Sequence, residues 1–301
     1  MQAQKFAIIN GDDFGFSHGV NQAIIKAHKE GVLTSTSLMV TGEAFDEAVD
    51  LARAHSTLAV GLHLVLVCGR SVLPSSQIPH LVDSAGNFPY SPPRSGLRYQ
   101  FIQATHEELR QEIRAQLEKF RSSGLRLSHV DGHLHMHVHP VVLRILVELA
   151  DEFDIRVIRL PHEELGMSLR LDRREIITKL VWAGVFGKLR RYGEGLLKSK
   201  GIGFAERVYG LLQTGSMTEE YLLGLIPQIE ANLVEIYCHP AVAIAGEPLN
   251  GSPGAGEAEL AALLSGRVGE MLAVKGFKLT NFDKAPLASQ TFTHSKSPKF
   301  W

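Results

Sequence analysis

The sequence predicts an α/β fold: a distorted or incomplete TIM-like (β/α) barrel of about seven parallel strands, carrying a helical insertion. Three observations predict it. Short apolar runs alternate with amphipathic helical stretches along most of the 301 residues, the pattern of a parallel sheet joined by crossover helices. Aspartates and histidines follow several of these runs directly, where such folds build their sites. Hydrophobic residues make up 45% and charged residues 21%, a balance that closes a sizeable core. One domain over 1–301 is expected.

In chain order, Lys5–Asn10 is a short apolar run ending at Gly11 and two aspartates, a buried strand feeding a loop. Gly19–Glu30 has apolar Val20, Ile24 and Ala27 at helical spacing and stops at Gly31. Ser35–Val40 and Ala59–Val67 read as strands around a helix at Ala44–Ala54. Cys68 to about Gln100, rich in Pro, Ser and Gly, reads as a long functional loop. Glu107–Arg121 is an amphipathic helix, Leu125–Val130 a strand, and Pro140–Glu152 a helix with proline suited to its first turn. Asp154–Leu160, Leu233–Cys238 and Phe277–Thr280 are the remaining strands, and Glu219–Ala231 and Glu257–Leu272 the remaining helices.

His162–Met217 breaks the alternation and reads as a mostly helical insertion. From Arg170 to Lys200 it holds nine bases against three acids, with exposed-looking Val181, Trp182, Val185 and Phe186. It could cap the barrel mouth, pair two subunits or rest on a membrane surface.

Composition narrows the function classes. A formal net charge of −1 points away from a nucleic-acid surface. No charged-then-apolar leader is evident, and no apolar run reaches the roughly 18–20 residues of a membrane span. Two cysteines, Cys68 and Cys238, are too few for a disulfide framework, and a cytoplasmic location is expected.

The chemistry concentrates in four places. Asp12 and Asp13 follow the first strand between Gly11 and Gly15; two adjacent carboxylates pointing different ways can divide cation binding from proton transfer. The bland alternative is a turn that caps the next helix. His63 interrupts an apolar strand, and alone it would more often be a core histidine. His129, Asp131, His133, His135, His137 and His139 alternate, so a strand there would place them on one face. No core tolerates so many imidazoles without partners, and neutral imidazole is a common ligand of divalent transition metals. Asp131 could orient a ligating histidine from behind. His239 ends a strand at Cys238-His239-Pro240, and Arg159, ending another, is a candidate substrate or carboxylate partner.

Together, Asn10–Gly15, Gly61–His63, His129–His135 and Cys238–Pro240 resemble the motifs of the YdjC-like carbohydrate deacetylases, in the family's order and across most of the chain. With the first block, Gly61–Pro79 is most similar to the hopanoid-biosynthesis-associated branch. The resemblance implies that Asp13, His63 and His133 hold one divalent metal ion. It makes Asp12 the general base and His239 a proton donor or a stabiliser of the tetrahedral intermediate; from their own placement in the sequence, Asp131, His129, His135 and Arg159 are expected behind the metal or on the substrate. The family points to Mg2+, whereas two imidazoles and a carboxylate suit Zn2+ or another transition metal. The implied substrate is an N-acetylglucosaminyl hopanoid and the implied assembly a homodimer; the basic, apolar insertion then reads either as a peripheral membrane contact that reaches a lipid-borne sugar or as dimer packing. A deacetylase of soluble chitooligosaccharides, a metal-dependent phosphoesterase and a non-catalytic sugar-binding barrel are the competing expectations.

Overall fold

The strand that organises the molecule is β1 (Lys5–Phe14), buried over its last eight residues. In the computed structural model, which describes residues 4–287, one edge of β1 is shared. β7 (Phe277–Thr280) pairs with Lys5–Ile8, and β2 (Ser35–Leu38) pairs with Asn10 to Phe14. The other edge carries β6 (Leu233–Cys238). With β3 (Ala59–Leu64), β4 (Val130–Gly132) and β5 (Arg207–Tyr209), the order is β4-β3-β2-β1-β6-β5, and every pairing is parallel. The sheet curls because each strand twists against the next. Its open side is bridged thinly: Val130 pairs with Ile158, and Val157 with Gly203. The result is the incomplete parallel barrel that the sequence predicts.

Helices cover the outside. α1 (His18–Glu30) starts at Ser17, whose hydroxyl accepts the Val20 N–H, a side-chain cap for an otherwise orphaned donor. α2 (Phe45–Ala54) follows β2. α3 (Pro92–Phe101) and α4 (Ala104–Ser122) follow β3. α5 (Pro140–Phe153) opens on the proline at its first turn, where a missing N–H costs nothing. α6 (Leu165–Leu171), α7 (Ile176–Ser199) and α8 (Glu219–Leu225) surround β5, and α9 (Ala255–Leu264) and α10 (Gly266–Val274) precede β7. Ile24, Leu62 and Leu64 are fully buried between sheet and helices, each worth about 1.5–3 kcal/mol of apolar burial.

Several expectations change. Asp154–Leu160 keeps only isolated bridges, because Arg156–Arg159 spans the seam between β4 and Gly203. The seventh strand is instead β5, three residues inside the predicted insertion, which is therefore not purely helical. The strand expected at Leu125–Val130 is β4, displaced to Val130–Gly132. The loop after β3 ends in α3 rather than staying irregular. The two late helices are shorter than predicted: α8 stops at Leu225 before Pro227, and the last splits at Ser265 into α9 and α10. Phe186, expected to be exposed, is 7% exposed and packs inward.

The histidine run is the largest departure. After β4 the chain forms a tight 3-10 turn over His133–Val138, with Leu134 (φ 48°) and His135 (φ 56°) both left-handed. Such backbone is costly for residues with a Cβ, about 1–2 kcal/mol each. The alternating imidazoles therefore do not share one strand face. They fan out in different directions.

Candidate metal centre and cleft

The C-terminal ends of β1, β3, β4 and β6 face a cleft of about 680 Å3. Its floor is built from β1. The register of β1 against β2 shifts between Gly11 and Phe14, and Asp13 has φ 66°, a conformation that aspartate tolerates better than most residues. A bulge of this kind re-aims side chains, and here Asp12 and Asp13 both line the cleft.

Asp13 Oδ1 accepts from His63 Nε2 at 3.1 Å and from His133 Nδ1 at 3.2 Å. Its Oδ2 accepts from Asn250 Nδ2 at 3.1 Å. Asp13, His63 and His133 each offer one ligand atom, all within 4.8 Å of one another. Cis ligands on a cation at about 2.1 Å lie about 3.0 Å apart, so these donors already sit near coordination spacing. Burial opposes the charge on Asp13, but the imidazoles of His133 and His63 outweigh it and hold the carboxyl well below the usual range. Burial also opposes charge on His63, yet Asp131 and Asp13 on either side raise its pKa to about 10. A divalent ion would take the place of the proton that this imidazole shares with Asp13. The residues fit the group.

His63 is held from behind. Its Nδ1 donates to Asp131 Oδ1 at 2.8 Å and lies 3.2 Å from Ser37 Oγ, which leaves Nε2 aimed at the pocket.

Asp12 has different company. Arg159 Nη1 donates to its Oδ2 at 2.6 Å and Nη2 to its Oδ1 at 2.8 Å. Asn10 Nδ2 donates to Oδ1 at 2.8 Å. The same guanidinium lies 2.9 Å from Asp131 Oδ2 and 2.6 Å from Glu235 Oε1, and over the Tyr237 ring. Arg159 is 1% exposed. It is a carboxylate partner and not a cleft-facing substrate contact. Asp12, His63 and Asp131 also cluster closely enough for a cation, but both carboxylates already pair with the buried guanidinium of Arg159. That arrangement favours one ion over two.

His239 follows β6, with Nε2 4.0 Å from Asp12 Oδ2 and Nδ1 3.9 Å from Glu259 Oε2. Glu259, buried on α9, accepts the His239 N–H at 2.5 Å and the Met217 N–H at 3.0 Å, which fixes the backbone that carries the imidazole.

The other histidines of the run lie outside the ligand cluster. His129 is buried behind the centre, bonded to Ser128 Oγ and stacked on Phe282, and desolvation lowers its pKa to about 3. A Cβ on Gly61 would meet its ring at 2.4 Å. His135 lines the cleft beside Tyr237, with Nε2 2.8 Å from the phenol oxygen, and burial holds it neutral. His137 donates to the Arg159 carbonyl, and His139 caps α5. Asn250, Ser37 and Glu259 were not predicted: each lies outside the four motifs, and no local pattern marks it.

Over the polar floor the cleft has apolar walls, among them Phe16, Leu134, Trp182, Phe186, Leu211 and Leu249. Trp182 and Phe186 come from α7, so the predicted insertion contributes part of the cleft wall.

Known proteins resemble this chain throughout. The family model described as YdjC-like protein matches residues 6–274. A carbohydrate deacetylase from Brevibacillus brevis (strain 47) is 49% identical over 171 residues, 57% of this chain and 65% of that protein. That match spans just under two thirds of the relative's length. A carbohydrate deacetylase from Vibrio parahaemolyticus serotype O3:K6 is 31% identical over 287 residues, 94% of this chain and 97% of that protein. A crystal structure from Enterococcus faecalis V583, given a provisional role in cellobiose-phosphate cleavage, superposes with a TM-score of 0.70 at 28% identity. It covers 93% of this chain and 98% of its own.

Proposed function

This chain belongs to the YdjC-like protein family, and from that premise we propose that it is a carbohydrate N-deacetylase using one divalent cation. The relatives named carbohydrate deacetylase support the reaction class. The observation that carries the mechanism is the division of labour between two adjacent aspartates. Asp13 sits between two imidazoles, while Asp12 is clamped by Arg159 and faces His239 across 4.0 Å.

Asp13, His63 and His133 would hold the ion, with Asp131 orienting His63 from behind. When bound, the cation supplies polarisation of the acetyl carbonyl and acidifies water. Mg2+ is the ion of the family resemblance, whereas the two imidazoles favour Zn2+ or another transition metal. Asp12, held rigid by the guanidinium, takes a proton from the attacking water as its oxygen bonds to the acetyl carbon. His239 Nε2 gives a proton to the nitrogen as the carbon–nitrogen bond breaks. Acetate and a free amine leave.

The substrate read from this cleft is an amino sugar with an apolar aglycone, an N-acetylglucosaminyl hopanoid being the specific proposal. The sugar lies over the polar floor, and the α7 wall with Leu211 and Leu249 faces the aglycone. Acetate release compared between the lipid-linked sugar and a soluble chitooligosaccharide tests this. Release from the lipid-linked sugar at much lower concentration supports the proposal. Equal or preferred use of the soluble sugar removes the lipid and keeps the deacetylase.

A further inference from the structure

We propose that α3 and α7 together form a docking surface for an anionic lipid bilayer, with the cleft opening between them toward the headgroups. The inference deepens the lipid-linked substrate reading and rests on it only for its purpose, not for its test.

The two helices come from separate departures from the strand–helix alternation, yet they meet at one place. Both pack against the 3-10 turn of His133–Val138 and against α5. Pro92 of α3 and Thr178, Trp182 and Phe186 of α7 line the cleft. Their outer faces are unusually apolar. On the α3 side Tyr90 is 79% exposed, Leu97 62% and Phe101 77%; on α7, Ile177 is 79% exposed and Val181 57%. Leu97 and Phe101 are one helical turn apart, as are Ile177, Val181 and Val185. A single exposed leucine needs no explanation, but two such stripes flanking one cleft mouth do.

The charge around these stripes selects the occupant. Residues 84–106 hold two arginines and no acid, and 170–200 nine bases and three acids, in a chain of net charge −1. Two of the acids are already satisfied: Asp172 by Arg174 and Lys179, Glu194 by Arg190 and Lys198. Arg94, Arg173, Lys188 and Arg191 remain exposed beside the apolar groups. A second copy of this face would set base against base. An anionic membrane surface complements it, apolar groups entering the interface and bases meeting headgroups. Among the described residues no helix is long and apolar enough to cross a membrane, so the contact is peripheral.

The test is co-sedimentation of the full chain with phosphatidylcholine vesicles, with and without phosphatidylglycerol. Two variants accompany it: one carries Leu97→Ser, Phe101→Ser, Ile177→Ser and Val181→Ser, the other Arg173→Glu, Lys188→Glu and Arg191→Glu. None of the seven positions lines the cleft. Binding to the phosphatidylglycerol vesicles, weakened by salt and reduced about tenfold in each variant, is the expected result. Hydrolysis of a soluble N-acetylated sugar, where measurable, stays unchanged in both. Absence of wild-type binding at low salt overturns the proposal, as does binding that neither variant reduces. Light scattering that shows a wild-type dimer and a serine-variant monomer also overturns it, by assigning the face to a second copy. Vesicle binding is read without turnover, so failure of the deacetylase reading would leave this result standing on its own.

Discussion

The guanidinium of Arg159 grips both carboxylate oxygens of Asp12, at 2.6 and 2.8 Å, from a position with no solvent contact. This bidentate grip, charge-assisted and buried, orients Asp12 while Asp13 beside it turns to the imidazoles. Adjacent carboxylates thus acquire different tasks from different neighbours.

Asp12→Asn should abolish acetate release yet leave the ion bound, because the ligand set lies on Asp13, His63 and His133. His63→Ala should lose the ion, by about 10–100-fold or more in affinity. Metal content after dialysis and acetate release, measured on both variants, check this. An Asp12→Asn protein stripped of metal would show that the two aspartates share the ion.

Removing the guanidinium leaves Asp12 and Glu235 buried without their cation and Asp131 with His63 alone. Arg159→Met is therefore expected to cost about 3–5 kcal/mol of stability. Arg159→Lys should recover only part of it, lacking the planar fork. Urea unfolding gives the comparison, and a loss below about 1 kcal/mol for Met would refute the clamp.

Glu235 is the third carboxylate on a guanidinium that two already neutralise. Burial raises its pKa to about 7, and Arg159 only partly offsets this. A folded-state pKa above the unfolded value near 4.5 means that the native protein binds the extra proton between them. The contribution of Glu235 is thus fully favourable below pH 4.5 and is lost as pH rises through 7. Glu235→Gln, which keeps an acceptor for Arg159, should gain on the wild type between pH 5 and 8 by on the order of 2 kcal/mol. Parallel stability–pH curves would contradict it.

Gly61 is required by the ring packed against it, since a Cβ there would sit 2.4 Å from His129. Gly61→Ala should lose about 1–3 kcal/mol and weaken metal binding by shifting β3, which carries His63 two residues on. Calorimetry and ion titration read the two effects.

Much of this was legible in the sequence, and the exceptions have physical causes. Asp12, Asp13, His63 and His239 could be read because each ends or interrupts an apolar run, and parallel strands deliver such residues to one mouth. The turn after β4 could not. Its alternation has the period of a strand, and nothing local announces left-handed backbone at Leu134 and His135. β5 was hidden by its three-residue length, and the Asp154–Leu160 run looked stronger than the bridges it makes. Asn250 and Glu259 enter the site from the far end of the chain, 237 residues from Asp13 and 20 from His239, with no motif to mark them. Arg159 is marked in the sequence only by its place at the end of an apolar run. Its enclosure by three carboxylates emerged only when β1, β4 and β6 came together.

The most direct measurement is acetate release from an N-acetylglucosaminyl substrate, lipid-linked and soluble, by protein stripped of metal and titrated with single divalent ions. The account predicts no acetate from the stripped protein and recovery that saturates at about one ion per chain. A folded protein that binds one ion and releases no acetate from either substrate would contradict it.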